Sequence, residues 1–375
     1  MKFTVSSSEL LRSLLSVSRV IASKNTLPIL DNFLLILKNN TLEITASDLE
    51  ITLHTSLTIE DVEKEGELTL SAKLLLDSLK EFPDIPLCFE ANRSEHTVTI
   101  SWQNGEMQIP FISADDYPVT AQLDENIVEV KLDSSILATG INNTLYATAD
   151  EPLRPVMNGV LFDLNTDGLT IVGSDAHKLI CYQRDDIKVE EKTSFILPKK
   201  PANILKSILA KGDYEVTIKF DMKNAVISFG ETNMTCRLVE GRYPDYRTVV
   251  PKNNHNRLTI NRLDILNASK RVAVCSNQAT SHVKLQISFN ELDISAQDLS
   301  FSIAGHEAVP CQYDGDNLTI GFKSAFLIEI LSNLSSNDVV LEFSDSTRAA
   351  LITPAERADE NESIVALLMP ILINA

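Results

Sequence analysis

The segment TLEITASDLE, residues 41–50, alternates apolar and polar side chains as a β-strand does, and it runs into Asp48. Related segments return as GLTIVGSDAH at 168–177 and ELDISAQDLS at 291–300. Their aspartates, Asp48, Asp175 and Asp298, are 127 and 123 positions apart. A strand pattern that returns twice at nearly constant spacing predicts three homologous units of about 120–127 residues each.

Other features keep the same offsets. They include the leucines Leu42, Leu169 and Leu292, the isoleucines Ile44, Ile171 and Ile294, the lysines Lys73, Lys200 and Lys323, and the prolines Pro28 and Pro155. The polar segments 113–126 and 241–256 each contain a Tyr-Pro pair and are typical of linkers. We therefore expect an N-terminal domain at 1–120, a central domain at 128–247 and a C-terminal domain at 250–375.

The sequence pattern of each unit predicts two helices among many short strands. In the first unit, serines that precede Glu9 suit a helix N-cap, and apolar side chains follow at helical spacing: Leu10, Leu11, Leu14 and Leu15. KNNT at 38–41 predicts a hairpin turn, and so does Asn104-Gly105. The pattern predicts an α+β fold of three tandem domains, with helices on one face of antiparallel sheets.

Composition limits the kind of protein. The formal net charge is −19, and no apolar run is long enough, at about 18 residues, to cross a bilayer. The N-terminal sequence has no signal-peptide pattern. The cysteines form no CxxC pair, which favours reduced thiols and a cytoplasmic location; they are Cys88, Cys181, Cys236, Cys275 and Cys311.

Positive charge concentrates on the predicted helices, which we place at 7–22, 71–82, 133–147, 198–211, 261–276 and 322–334. These windows hold twelve Lys or Arg, including Lys211, against six Asp or Glu, whereas the rest of the chain has an acidic excess. Arg12 and Arg19, Lys73 and Lys80, and Lys199 and Lys206 are each seven residues apart and return to one helix face. An ordinary solvated face would explain one such helix. Three helices with a basic face, in a repeated unit, favour binding of duplex phosphates around a central channel, without base readout.

Catalytic motifs are absent from the sequence, and no metal or cofactor is implied. In SDAHKL, Asp175 and His177 would share a face if they lay in a strand, but no nucleophile is near them in sequence. The apolar ending, SIVALLMPILINA, predicts a last strand at 364–368. The residues after Met369-Pro370 either pack on their own domain or line a groove for a partner peptide.

Several segments together resemble the bacterial β sliding clamps, the processivity subunits of DNA polymerase III. They are TLPIL, LEITASDLE, NGVLFD, SDAHKL, GRYPDYRTVVPKN and the near-terminal MP, and they extend along the whole chain. The resemblance implies a non-catalytic ring of two chains, joined head to tail, that encircles double-stranded DNA. It further implies partners that carry a clamp-binding peptide, among them the polymerase III alpha subunit and the clamp loader.

The resemblance also implies functional residues. It places Lys24, Lys199 and Lys200 at DNA-facing positions, and the helix pattern adds Arg12, Arg19, Lys73, Lys80, Lys206, Lys270 and Arg271. The partner-peptide cleft would contain Arg154, Met157, Ser174, Ala176, His177, Lys178, Leu179, Pro244, Thr248, Val249, Phe326, Met369, Pro370, Ile371 and Leu372. The dimer contact would join the surroundings of Lys73 and Met107 to those of Val274 and Cys275.

The chain departs from the family at several positions of this cleft. Pro155 and Val156 stand where aromatic residues are frequent, and Thr248 stands where a basic residue is usual. The chain also continues past the usual end with Ile373, Asn374 and Ala375. Two other hypotheses remain at this point: a repeat scaffold that binds partner peptides without DNA, and a hydrolase or transferase that uses His177.

Overall fold

A computed structural model describes residues 1–22, 24–25, 27–124, 126–210 and 212–372. Lys211 and the terminal Ile373, Asn374 and Ala375, which entered the predictions above, lie outside these ranges. The described residues form antiparallel sheets with α-helices packed on them, so the predicted α+β class is confirmed.

Within the described part of residues 1–120, the chain forms nine strands and two helices. The strands are β1 Lys2–Ser6, β2 Asn32–Lys38, β3 Thr41–Ser47, β4 Ile51–Thr58, β5 Asp61–Lys64, β6 Gly66–Ser71, β7 Pro86–Asn92, β8 Thr97–Trp102 and β9 Gly105–Ile112. The helices are α1 Ser7–Val17 and α2 Ala72–Leu79.

The middle of the chain repeats this order of elements, except that its described residues form no counterpart of β5. Its strands are β10 Val128–Asp133, β11 Gly159–Asn165, β12 Gly168–Ser174, β13 Lys178–Arg184, β14 Thr193–Pro198, β15 Glu215–Phe220, β16 Asn224–Phe229 and β17 Thr232–Arg237. Its helices are α3 Ser134–Thr144 and α4 Lys199–Leu209.

The last part does so again. Its strands are β18 Asn256–Asn261, β19 His282–Ser288, β20 Glu291–Asp298, β21 Ile303–Pro310, β22 Gln312–Asp314, β23 Leu318–Lys323, β24 Asp338–Phe343, β25 Ala350–Pro354 and β26 Glu362–Leu368. Its helices are α5 Arg262–Ala273 and α6 Ser324–Asn333. The repeated prolines also agree, because Pro28 and Pro155 each begin a short 3-10 helix.

The repeated aspartate closes the turn that follows its strand. Asp48 Oδ1 accepts the backbone N–H groups of Glu50 and Ile51 at 3.0 and 2.7 Å, and Asp175 Oδ1 does the same for His177 and Lys178. In the third copy, Asp298 Oδ1 accepts the N–H of Ser300. Side-chain acceptors of this kind satisfy backbone donors that the sheet leaves unpaired.

The hairpin turns agree with the prediction in one case and differ by a residue in the other. Asn39 and Asn40 both have positive φ, 49° and 59°, which is the conformation that a two-residue hairpin turn favours. The second turn consists of Gln103 and Asn104, because Trp102 pairs with Gly105, which is already the first residue of β9. The predicted turn at Asn104-Gly105 is therefore wrong by one position.

Helix α1 buries a narrower stripe than we expected. Leu10, Leu14 and Val17 are fully buried, and the helix packs on β3, β4 and α2. Leu15 is 43% exposed, so its predicted place in the core is wrong. At about 100° per residue, Leu15 lies about 140° from Leu10, whereas Leu14 and Val17 lie within about 40° of it. The N-cap prediction is confirmed, since Ser6 Oγ accepts the N–H of Glu9.

The chain divides into two compact units, residues 1–136 with 203–238, and residues 137–202 with 239–375. Each unit combines parts of two repeats because strand pairing crosses the repeat boundary. In the first unit, β17 pairs with β4 and continues a sheet of order β10-β15-β16-β17-β4-β3-β2-β6-β9-β8-β7-β1-β5. In the second, β13 pairs with β26 in a sheet of order β14-β11-β12-β13-β26-β25-β24-β18-β22, and the other sheet is β21-β20-β19-β23.

We expect the substitution Asp48→Ala to destabilise the protein by about 1–2 kcal/mol, because two backbone N–H groups lose their acceptor. The midpoint of urea unfolding, followed by circular dichroism, should fall accordingly. Asp48→Asn is the matched control, since its amide oxygen can still accept both hydrogen bonds. An equal loss of stability in both variants would contradict this role of the aspartate.

Candidate functional site

The turn between β12 and β13 carries a large share of the predicted cleft residues. Ser174 Oγ accepts the N–H of Ala176 at 3.2 Å and donates to the carbonyl of Lys178 at 3.0 Å. Together with the Asp175 carboxylate, this hydroxyl fixes the backbone, and Ala176 adopts a φ of 72°. The turn therefore exposes Ala176 and His177 while it directs Lys178 inward.

Lys178 is a buried cation with two acidic partners. Its side chain is 5% exposed, and its ammonium lies 2.7 Å from Asp175 Oδ2 and 3.1 Å from Glu329 Oε2. The same ammonium lies 4.4 Å from the centre of the Phe326 ring. A buried charge is tolerated only when partners compensate its lost hydration. Lys178 therefore ties the β12–β13 turn to helix α6 of the next repeat.

An aromatic surface forms beside this ion pair. The imidazole of His177 stacks on the half-buried ring of Phe326, with centroids 5.8 Å apart and planes at 23°. The Lys323 ammonium lies 4.8 Å from the centre of the same ring. A partly exposed histidine–phenylalanine stack offers flat apolar area and one polar edge to a ligand.

The hypothesis of an Asp175–His177 acid–base pair is wrong in its geometry. The two residues lie in a turn and not in a strand, and the Asp175 carboxylate bonds the backbone N–H of His177 and the Lys178 ammonium. The imidazole faces Phe326 instead.

The apolar ending packs on its own unit and also remains partly exposed. Met369 N–H donates to the carbonyl of His177 at 2.9 Å, and Ile371 N–H donates to the carbonyl of Gly321 at 2.9 Å. Ile371 thereby forms a β-bridge to strand β23, which the sequence pattern did not reveal. Met369 and Leu372 keep exposed side chains, 42% and 84% respectively. Both predicted roles of this segment are thus compatible.

A buried cluster joins the remaining cleft segments. Leu179, Tyr243 and Tyr246 are buried together, and Val156 and Val250 pack against them. Tyr246 donates to Asp163 Oδ2 at 2.9 Å, and burial raises the pKa of Tyr246 above its usual value. The cluster holds the 3-10 helix Pro155–Met157 close to the segment 243–250.

The other predicted cleft residues lie on these segments. Met157 is buried, Pro370 is half-buried, and the exposed members are Arg154, Pro244, Thr248 and Val249. The structure adds four residues that sequence reasoning missed: Asp175, Tyr243, Lys323 and Glu329. Three of them could have been found from the sequence, because Asp175 and Lys323 recur at the repeat offsets and Tyr243 belongs to the Tyr-Pro pair. Nothing in the sequence marks Glu329 as the partner of Lys178.

The predicted DNA-binding residues differ in their surroundings. Those that are exposed are Arg12, Arg19, Lys24, Lys73, Lys80, Lys200, Lys270 and Arg271, whereas Lys199 and Lys206 are half-buried. Arg271 makes two short contacts with the Glu307 carboxylate, at 2.8 and 2.5 Å, and Lys199 lies 2.6 Å from Asp150. These acids partly neutralise two of the cations.

The seven-residue spacing lies within one α-helix only for Lys199 and Lys206. Arg19 lies in the 3-10 helix Ser18–Val20, because α1 ends at Val17, and Lys80 caps the end of α2. Lys80 still donates its N–H to the carbonyl of Leu76 as a helical residue does. The predicted helix at 7–22 is therefore interrupted, and Arg12 and Arg19 lie on successive helical segments, an α-helix and a 3-10 turn.

The predicted dimer residues lie on the surface of their units. Lys73 and Val274 are exposed, Val274 by 82%, and Met107 and Cys275 are half-buried. In the part of the chain that the structure describes, no group of three or more His, Cys, Asp or Glu side chains could hold a metal ion. Among the same residues, no helix is both long and apolar enough to span a bilayer.

Comparison with known proteins supplies the family. Models of the N-terminal, central and C-terminal domains of the DNA polymerase III beta subunit match residues 1–121, 131–245 and 247–372. The beta sliding clamp of Pseudomonas aeruginosa is 30% identical over 360 residues, which cover 96% of this chain and 97% of that protein. The beta sliding clamp of Escherichia coli is 28% identical over 375 residues, with 99% of each covered.

Solved structures agree with this similarity. The crystal structure of the DNA polymerase III beta subunit from Pseudomonas aeruginosa superposes with a TM-score of 0.94 at 28% identity, and each chain is fully covered. The sliding clamp from Bartonella birtlesii reaches a TM-score of 0.90 at 28% identity, again over the whole of both chains. With three successive domain models matched and close likeness over the full length, the chain belongs to the DNA polymerase III beta-subunit family, the non-catalytic sliding clamps of that polymerase.

Proposed function

We propose that two copies of this chain form a ring that encircles duplex DNA in the cytoplasm. The ring tethers DNA polymerase III, through its alpha subunit, and other proteins that carry a clamp-binding peptide, including the clamp loader. The observation that carries the proposal is family membership over the whole chain, joined to a helix set that is basic in an acidic protein. The proposed domain limits are 1–120, 128–247 and 250–375.

Contact with DNA is proposed to come from the helix cations and Lys24. Exposed ammonium and guanidinium groups attract phosphates without regard to sequence, which suits a protein that slides. Lys73 and Arg12 are exposed and lie on α2 and α1. Each such contact is weak at physiological salt. The closed ring is therefore what keeps the protein on the DNA.

Partner binding is proposed to use the cleft around His177. The exposed side chains of Met369 and Val249, with the Phe326 ring, offer apolar surface for two anchor side chains. The family's partner peptides typically carry a glutamine and two such anchors. The buried Lys178 ion pairs support the proposal, because they hold the turn and helix α6 in place before a peptide arrives.

Repeat pairing also supports a head-to-tail dimer. Strands β4, β13 and β21 each follow the repeated aspartate turn, and β17, β26 and β9 each close a repeat. β4 pairs with β17, and β13 with β26. Among the described residues, β21 ends its sheet, and residues 105–110 of β9 pair only with β8. Open strand edges readily accept another strand, so we propose that β21 of one copy pairs with β9 of the other.

The two internal junctions supply a register for the proposed contact. Thr52 faces Thr235, and Leu179 faces Leu367. The equivalent positions in β21 and β9 are Ala304 and Gln108, which places Gly305 opposite Met107. Cys275 lies beside the proposed contact. Its Sγ atom packs so closely on Gly305 that a Cβ added there would lie 2.7 Å from it.

We expect Arg12→Ala combined with Lys73→Ala to reduce affinity for a short linear duplex. The slope of log K against log[NaCl] should become shallower by about 2, because two phosphate contacts are lost. Lys38→Ala combined with Lys64→Ala is the matched control, since both lysines are exposed on strands β2 and β5. An equal change in the control pair would contradict the proposed DNA-facing role.

Ring topology has its own measurement. Protein placed on a nicked circular plasmid by a clamp loader should remain bound, and it should be lost when the plasmid is cut once. Gel filtration before and after cutting measures how much protein elutes together with the DNA. Equal retention on both forms would favour a simple DNA-binding scaffold.

The variant His177→Ala should weaken binding of a labelled peptide with a glutamine and two apolar anchors by about three- to tenfold. The loss corresponds to the aromatic surface that His177 would offer the peptide, since an aromatic contact is typically worth about 0.5–1.5 kcal/mol. Fluorescence anisotropy measures the affinity. His255→Ala, another exposed histidine, should leave it unchanged, and retention on circular DNA should survive both changes. Loss of DNA retention in His177→Ala alone would argue against separate sites.

Cysteines at Ala304 and Gln108 should link two copies through a disulfide when the protein is oxidised, in a Cys275→Ser background. The reason is that directly opposed strand residues bring their Cβ atoms to about 4.5–5.5 Å. Non-reducing gels and mass in solution, expected at two chains per particle, provide the measurement. The control pair Ala304→Cys with Glu106→Cys is offset by two residues and should link poorly; efficient linkage there would refute the register.

A further inference from the structure

A cavity of about 460 Å³ near residues 335–365 and another of 720 Å³ near residues 165–192 lie in the second compact unit. A third cavity, of 370 Å³, lies wholly within the first compact unit. Its lining includes Ser47, Leu49, Pro118, Val119, Lys223 and Arg237. Its size lies within the range of about 300–1,000 Å³ that ligand sites occupy.

This cavity is built on the same turn as the peptide cleft. Ser47 Oγ accepts the N–H of Leu49 at 3.2 Å and donates to the carbonyl of Ile51 at 3.2 Å, as Ser174 does for Ala176 and Lys178. Leu49 adopts a φ of 80°, close to the 72° of Ala176. The two turns therefore present their central residues in the same way.

The neighbouring strands and linker also correspond. Arg237 N–H donates to the carbonyl of Glu50 at 3.0 Å, and Met369 N–H donates to the carbonyl of His177 at 2.9 Å. In each case, the strand that closes one repeat ends against the turn of the repeat before it. The Tyr117-Pro118 pair, of which Pro118 lines this cavity, matches the Tyr243-Pro244 pair of the cleft, and both tyrosines are buried.

The side chains at equivalent positions differ in chemistry. Glu50 replaces His177 and Asn203 replaces Phe326 at the repeat offsets of 127 and 123, and Arg237 takes the place of Met369 through its equivalent hydrogen bond. The cavity keeps two exposed apolar residues, Leu49 at 53% and Val119 at 93%. Lys223 and Arg237 bring positive charge to the lining, which also contains Glu50, and Asp221 lies near Lys223. The aromatic surface is thus lost, and two basic side chains are gained.

We infer that this cavity is a second peptide-docking site, which takes an extended acidic segment of a partner protein with one apolar anchor. The apolar side chain packs on Leu49 and Val119, and flanking carboxylates meet Lys223 and Arg237. The inference rests on the proposed function because it treats the site as a chemically altered copy of the partner-peptide cleft. Charge complementarity distinguishes its occupant from the glutamine-containing peptide of the cleft.

The test uses the full-length protein with labelled leucine and valine methyl groups. The probe is an acetylated peptide with one leucine flanked on each side by two aspartates. Its addition should shift the methyl signals of Leu49 and Val119, and a peptide with lysines in place of the aspartates should not. Signals of Leu179, Val249 and Leu372 report the cleft in the same spectra, so failure of one site is distinguishable from failure of the other.

Two variants at exposed positions sharpen the result. Val119→Asp and Lys223→Glu should each weaken binding of the acidic peptide at least fivefold, through repulsion and loss of apolar contact. Lys38→Glu is the matched control, because Lys38 is exposed and pairs with Thr41, at the far end of β3 from Ser47. The inference is overturned if the acidic peptide shifts only cleft signals or shifts no signals at all. It is also overturned if Lys38→Glu weakens binding of the acidic peptide as much as the two variants do.

Discussion

The second and third repeats of this chain end in strands, β17 and β26, whose outer edges pair with a strand of the preceding repeat. The pairs β4–β17 and β13–β26 satisfy two such edges, and their backbone hydrogen bonds extend across repeat boundaries. Unpaired N–H and C=O groups at a sheet edge raise the free energy of the fold when they are buried, and they readily pair with another strand. The division into two compact units, each with parts of two repeats, follows directly from this constraint.

The same constraint accounts for the positions of the two proposed peptide sites. Where a closing strand meets the aspartate turn of another repeat, backbone from two repeats and a linker converge, and side chains there are not needed for the core. In the second unit this convergence carries His177 and Met369, and the buried Lys178 locks it through Asp175 and Glu329. In the first unit it carries Glu50 and Arg237. One backbone arrangement has thus diverged in charge and aromatic content.

Periodicity and repetition predicted the repeated helices and strands and the Asn39-Asn40 turn, because those depend on neighbours in sequence. The alternating strands, the Asp48 turn and the Asn39-Asn40 hairpin all follow from local chemistry. Features that depend on distant partners were not predictable. Leu15 is exposed because Val17 completes the buried face, and the contact of Arg271 with Glu307 joins a helix to a strand 36 residues away. Likewise, the partner of Lys178 on α6 has no mark in the sequence.

Charge distribution sets the strength of any single DNA contact. With a net charge of −19, the chain as a whole repels a polyanion, and only local groups of cations can attract it. Some of those cations already have acidic neighbours, as Arg271 and Lys199 do, which reduces what a phosphate gains by binding them. Tight grip would in any case oppose sliding. Weak, unspecific phosphate contacts are therefore compatible with long residence only if the molecule cannot leave sideways, and this is why the proposed closure between β21 of one copy and β9 of the other would matter more to function than any individual lysine.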